Sequence, residues 1–347
     1  MAKFADVLTI VNGRNQRQVE NPKGKYPIYG SGGIMGYAND YICEADTVVI
    51  GRKGSINNPI FVETPFWNVD TAFGLCADRL KLVPKYLYYF CEKYDFERLN
   101  TTVTIPSLTK ANLLKVEIPL PTLDEQRRIA AVLDKVSGLI AKRREQLDKL
   151  DELVKARFVE MFGDETEFDR WPSCTIGDVA DICVGVVIKP TQYYADQGIP
   201  AFRSLNIGEM RVKDGDWVYF TKEGHQKNQK SVVRKNDVLV VRSGAPGTAC
   251  VASEKYDGYN AVDIIIAHPD NTKVDSIFLA AFTNMPHGMN QIRGRTGGAA
   301  QQHFNVGGYK TLRLIMPPID QQQKFASFVK QTDKSKLTIQ QSLDKLE

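Results

Sequence analysis

Most signatures of chemistry are missing from this chain. It has no G-x-x-x-x-G-K-[ST] nucleotide loop, no H-E-x-x-H and no metal-binding cluster. Its four histidines, at 225, 268, 287 and 303, are scattered, and His268-Pro269-Asp270 reads as a turn after a strand. The six cysteines form no C-x-x-C pair and read as reduced core thiols, as expected in the cytoplasm. No apolar run is long enough to span a membrane. There is no secretory signal either, since Met1-Ala2-Lys3 leads straight into a domain. These absences argue against an enzyme and against a membrane protein.

What is present is an ordinary globular composition, 43% hydrophobic and 25% charged, in a length of 347 residues that predicts about two domains. The net charge of +4 is small, but the bases are concentrated in loops. Between Ser276 and Ile319 there is no acid, while Arg293, Arg295, Lys310 and Arg313 occur. Residues 222–235 carry five bases against Glu223 alone, and residues 98–115 carry Arg98, Lys110 and Lys115 with no acid.

The chain is organised around Leu123 to Met161, which reads as one long helix. Ile129, Leu133, Val136, Ile140, Leu147, Leu150 and Val154 recur at three- and four-residue steps. A mean period near 3.5 predicts a coiled-coil seam, interrupted by Arg143 and Arg157 and opened by Gln126. Thr122 and Glu125 form a capping-box signature behind Pro119 and Pro121, and Gly163 supplies the stop.

The same stretch returns at the C-terminus with an offset of 196. Asp124 and Gln126 meet Asp320 and Gln322, and the run Gln146 to Asp151 meets Ser342 to Glu347. The second seam reads Phe325, Val329, Thr332, Lys336, Ile339, Leu343 and Leu346. Each helix lacks a partner of its own, and the simplest partner is the other.

The segments before the helices also echo each other. Asp6-Val7 and Gly13 match Asp178-Val179 and Gly185; Tyr26-Pro27 matches Ile199-Pro200. The strand running from Thr47 through Arg52 to Gly54 matches the one from Asp237 through Arg242 to Gly244, and Val69-Asp70 matches Val262-Asp263. The glycine-rich run Tyr26 to Tyr37 is no phosphate cradle, because Met35 sits where a third glycine is needed and no helix pattern follows. Tyr86 to Tyr94 reads as a helix, and Leu114 to Ile118 as the last strand of the first head.

The expected fold is therefore α+β: two similar mixed heads joined by two long antiparallel coiled-coil helices, an internal repeat about a pseudo-two-fold axis. The boundaries are 1–118 for the first head, 119–163 for the central helix, 164–316 for the second head and 317–347 for the C-terminal helix. Two alike heads at a fixed spacing can read two duplex sites one or a few turns apart, about 34 Å per turn. Because their loops differ, the target would be split and non-palindromic.

These features closely resemble the specificity subunit of type I restriction-modification systems, over the whole chain. The most specific marks are the I-P-L-P-x-x-x-E-Q-x-x-I string from Ile118 to Ile129, its echo before the C-terminal helix, and Tyr26-Pro27-Ile28-Tyr29-Gly30-Ser31-Gly32-Gly33. The resemblance implies two target-recognition domains and no catalysis. It implies double-stranded DNA as ligand, two adenine-methylating subunits as partners, and ATP-driven restriction (translocase) subunits for cleavage. It implies no cofactor here: S-adenosylmethionine, ATP and Mg would belong to those partners. The second helix is shorter than the first. The matched partner of Glu152 to Glu160 is expected to be missing, leaving that end single or completed by another subunit.

Base edges are read by Arg, Lys, Asn, Gln, Ser and Thr on loops, and phosphates by cations. In the first head the candidates are Arg14, Lys25, Tyr29, Ser31, Arg52, Lys53, Asn57, Thr102 and Thr104. In the second they are Lys189, Arg203, Asn206, Lys227, Asn228, Arg242, Ser243, Arg293, Arg295, Gln301, Gln302 and His303. Arg52 and Arg242 lead, because the repeat puts both at one turn. The alternative is a scaffold that holds proteins on its helix pair and reads no DNA.

Overall fold

The structure is a computed structural model. It describes residues 1–100, 107–296 and 303–347, apart from the side chains of Phe168 and Thr296. Two compact units divide within the central helix, Met1–Lys142 and Arg143–Glu347.

In the first unit a four-stranded antiparallel sheet has the order β1 (Leu8–Asn12), β4 (Ala72–Ala77), β2 (Thr47–Gly51), β3 (Ile60–Val62). Every residue of β2 is buried. Val48 and Ile50 face one core with Leu87 and Cys91 of the helix Pro84–Lys93, while Val49 faces another with Cys43, Val62 and Phe66. A strand covered on both faces is continuously apolar, which is why 47–50 shows no alternation. A smaller sheet pairs Tyr26–Gly30 antiparallel with Gly33–Ala38 and parallel with Trp67–Asn68. The expected last strand is only Glu117–Ile118, paired with Ala2–Lys3. Residues 114–116 are the way out of a helical turn, Lys110–Leu113, capped by the Thr109 hydroxyl, which accepts from the Asn112 N–H at 3.2 Å.

The second unit repeats this plan. Its sheet has the order β5 (Ala180–Val184), β8 (Ile264–Pro269), β6 (Val238–Val241), β7 (Ala249–Val251), and β6 is again wholly buried. Val238 and Val240 face the helix-side core; Leu239 and Val241 face the other. A small sheet again contains a parallel pair, Ile199–Phe202 with Asn260–Ala261.

The central helix runs Leu123–Phe162. Thr122 caps it through its hydroxyl, which accepts from the Glu125 N–H at 3.3 Å, and Gly163 ends it at φ +88°. The C-terminal helix runs Ile319–Asp344. Within the second unit the two pack antiparallel: Arg144 pairs with Glu347 at 2.7 Å, Asp151 with Lys336 at 2.6 Å, and the Phe158 ring meets Phe325 at 5.4 Å. Of the expected seam, Val154, Phe325, Val329, Thr332 and Leu343 are buried, while Ile129, Leu133, Val136, Ile140, Leu147 and Leu150 of the central helix and Lys336, Ile339 and Leu346 of the C-terminal one are half-buried. The expectation that 152–160 would lack a partner is corrected. Antiparallel pairing sets Val154 and Phe158 against the first turns of the C-terminal helix, which the chain does contain.

One glutamine in each unit locks a helix start to its own head. Gln126 Oε1 accepts from the Val83 N–H at 2.8 Å, and its Nε2 donates to the carbonyls of Lys81 and Pro121. Gln322 does the same with the Asp275 N–H at 3.0 Å and the carbonyls of Lys273 and Pro317. Both side chains are fully buried and fully satisfied, as a buried amide must be.

Candidate nucleic-acid interface

Strand ends decide which candidates meet. In the first head Asn12, the last residue of β1, pairs with Phe73, and Gly51, the last of β2, pairs with Ala72. The residues just beyond, Arg14 and Arg52, therefore leave the sheet at one edge. The Arg14 N–H donates to the Asn68 carbonyl at 2.8 Å; the N–H groups of Arg52 and Lys53 both donate to the Thr71 carbonyl, at 2.8 and 3.3 Å. Ser31 arrives at the same edge from the hairpin turn: its Cβ lies 3.1 Å from where a Gly51 Cβ would stand. Any side chain at 51 would also strike the Ser55 carbonyl oxygen at 2.3 Å, so the tight turn requires glycine there. Arg14, Arg52 and Lys53 are exposed. The edge is thus a basic turn with open donors.

Three candidates lie elsewhere in this head. Lys25 is at the opposite end of the hairpin, over the Tyr26 ring at 5.5 Å. Tyr29 packs edge-on against Phe66 at 5.4 Å, and burial raises its hydroxyl above the ordinary tyrosine value, with Tyr37 adding to it. Asn57 accepts from the Phe96 N–H at 2.7 Å and donates to Asp95 at 3.2 Å, so it ties two loops together. Thr102 and Thr104 lie outside the described residues.

The second head builds the same edge with different chemistry. The bridge between Lys53 and Ser107 returns as one between Ser243 and His303. The Leu108 N–H donates to the Arg52 carbonyl at 2.9 Å, and the Phe304 N–H to the Arg242 carbonyl at 2.9 Å. Yet Arg242 is only 8% exposed. Its Nη1 meets Asp263 at 2.6 Å, its Nε donates to the Phe304 carbonyl at 3.1 Å, and its Nη2 donates to His303 Nε2 at 2.5 Å. Arginine has only donors, so His303 Nε2 must accept. The neutral ring then carries its proton on Nδ1 and donates it to Ser243 Oγ at 2.7 Å. Asp263 is held at φ +47° to reach the guanidinium.

Placing Arg242 alongside Arg52 as an open donor is therefore corrected: it is spent inside the head. The same holds for Asn206, buried with its amide between the Arg203 N–H at 2.9 Å and the Gly215 carbonyl at 2.7 Å. Arg203 follows the strand Ile199–Phe202 and donates to the Asp216 carbonyl. Ser243 and His303 do meet at the edge. Lys189, at φ +46°, opens a short turn further along, and Lys227 is exposed beside Asn228, which donates to the Gly224 carbonyl at 2.7 Å. Arg293 and Arg295 lie on the helix Pro286–Thr296. Arg295 donates to the Gln291 and Thr311 carbonyls, both at 3.1 Å. Gln301 and Gln302 lie outside the described residues. Asp263 was missed as a site residue, though the Val69-Asp70 and Val262-Asp263 echo marked its position.

Among the described residues no group of His, Cys, Asp and Glu could hold a metal ion, and no helix is long and apolar enough to cross a membrane.

Comparison with known proteins decides the family. The model of the type I restriction modification DNA specificity domain matches residues 1–151 and again 169–347. The chain belongs to the type I restriction-modification specificity subunits. It is 23% identical over 333 residues to a putative type I restriction enzyme specificity subunit of Haemophilus influenzae, covering 88% of this chain and 80% of that one. It is 22% identical over 340 residues to the EcoBI specificity subunit of Escherichia coli, covering 89% and 70%. The crystal structure of the type I S subunit from M. genitalium shares the fold at a TM-score of 0.61 and 17% identity, over 99% of this chain and 91% of that one. The two matched stretches fit the internal repeat read from the sequence.

Proposed function

We propose that this specificity subunit is a non-catalytic reader of double-stranded DNA whose two heads each take one part of a split, asymmetric target. The observation that carries this is the repeated strand-end edge: one frame, with Ser31, Arg52 and Lys53 displayed in the first head and Ser243 and His303 in the second. The Lys53 ammonium there meets phosphate, while the Arg52 guanidinium and the serine hydroxyls meet base edges, Ser243 through its own O–H because both His303 nitrogens are already engaged. Because the two edges differ in chemistry, the two half-targets differ in sequence. Arg242 serves by positioning Ser243 and His303, not by touching a base. The subunit works in the cytoplasm and recruits two adenine-methylating subunits and a restriction subunit. S-adenosylmethionine, ATP and Mg belong to those partners.

The test is selection from a random duplex pool by the chain together with its methylating partner, at several salt concentrations. The expected result is enrichment of one bipartite sequence, with affinity falling as salt rises. Binding without sequence preference would leave the scaffold reading in its place.

A further inference from the structure

The first four-stranded sheet and its counterpart are built alike, but three neighbouring positions on one face differ in kind. In the second head they hold Cys183 on β5, His268 on β8 and Asp237 immediately before β6. These strands are adjacent in the order β5, β8, β6, so the three side chains are cross-strand neighbours. Cys183 Sγ lies 3.7 Å from His268 Nε2, and His268 Nδ1 lies 2.6 Å from Asp237 Oδ1. Asp237 is itself fixed, since its Oδ2 accepts from the Arg234 N–H at 2.6 Å and its side chain is only 4% exposed. The ladder positions that match these in the first head carry Val11, Cys76 and Thr47. The frame therefore folds without a Cys-His-Asp row.

The row is also open. Cys183 and His268 line a cavity of about 230 Å³ with Asp181, Gln229, Lys230 and Arg234. We propose that Cys183, His268 and Asp237 form a reactive-thiol site that undergoes exchange with small disulfides. Asp237 orients the ring and keeps it protonated. Its hydrogen bond, then that of Cys183, raises His268 to about 9, against the desolvation of the site. Lys230 and Arg234 add positive charge on the rim and Asp181 opposes it. In the resting thiol form the S–H donates to the Lys230 carbonyl at 3.1 Å. On ionisation the S–H proton passes to solvent, from which His268 is later reprotonated, and the sulfur turns to accept from the imidazolium Nε2–H. The thiolate then attacks one sulfur of the disulfide and forms the new S–S bond. The other sulfur leaves with the bonding pair and takes the proton from His268. No outside oxidant is needed, because the disulfide is itself the electron acceptor.

The experiment uses the full chain, dithiodipyridine as probe and no DNA, so its outcome is independent of target reading. Released thiopyridone gives the rate, and peptide mass gives the residue. At pH 6 a free thiol with a pKa near 8.5 is almost wholly protonated. Cys183, followed by the mass of its own peptide, is expected to label about tenfold or more faster than in the same chain unfolded in urea. H268Q is expected to bring it down to the unfolded rate, and C183A to abolish the fast phase with the fold unchanged. A Cys183 that labels no faster folded than unfolded, or a folded H268Q chain that labels as fast as the parent, overturns the proposal. Should H268Q not fold, the folded-to-unfolded ratio of the parent still decides.

Discussion

The turn after the buried central strand carries an arginine in each head, and the two have opposite fates. Arg52 stands in the open over the Phe73 ring at 5.7 Å, with its backbone fixed and its guanidinium in no ion pair among the described residues. Arg242 is buried and engaged by Asp263, His303 and the Phe304 carbonyl. Internal repetition therefore predicts where a side chain leaves the backbone, and not what it does next. The difference comes from the neighbours. Asp263 faces its arginine; Asp70, at the matching position, is exposed and makes no such pair.

Substitutions can break this contrast. R242A should destabilise the second unit by about 2–3 kcal/mol, because it leaves the Phe304 carbonyl and His303 Nε2 without their donor and takes the charge partner from a partly exposed Asp263. Denaturant unfolding of R242A and R52A side by side checks it; equal midpoints would mean the two arginines are alike after all. Where the heads agree, equal losses are expected. Q126A and Q322A each leave a backbone N–H and two carbonyls without their partner and should cost about 2–3 kcal/mol apiece, again read by unfolding. R52A should leave the fold intact and weaken cognate duplex binding by about 1–3 kcal/mol if the guanidinium reads a guanine. Titration of the complex measures that, and unchanged affinity removes Arg52 from the reading edge.

The smallest effect is a pH dependence confined to the second head. His268 is held at about 9 when folded, above its ordinary value near 6.5. Its contribution is fully present below pH 6.5 and is lost as pH rises through 9, on the order of 1–2 kcal/mol after allowing for its 21% exposed side chain. Unfolding at pH 6, 7.5 and 9 should show the decline, and H268Q should flatten it.

The legibility of the sequence follows the same division. Both long helices, their seam, the caps at Thr122 and Gly163 and the duplicated frame could be read directly, because period and local capping chemistry report on backbone. The pairing direction was also legible, but its consequence for 152–160 was not, since counting equivalent residues ignores which end meets which. The reading edge was legible in position alone. Asn206 and Arg242 look like surface donors in sequence, and only the fold shows their donors consumed by Gly215, Asp263 and Phe304. The Cys183, His268 and Asp237 row was invisible because its members are 31 or more residues apart and meet only through strand order.

The glutamine locks bear on how the chain is made. Gln126 clasps residues 81 and 83 of its own head, so everything it needs has been synthesised by the time the central helix begins to emerge. The first unit closes at Lys142, and the ribosome can release it as a finished body while the second is still being translated. The second unit has no such freedom: Gln322 and Phe325 follow the rest of its core in the chain, so that core waits for the helix Ile319–Asp344 to leave the exit tunnel.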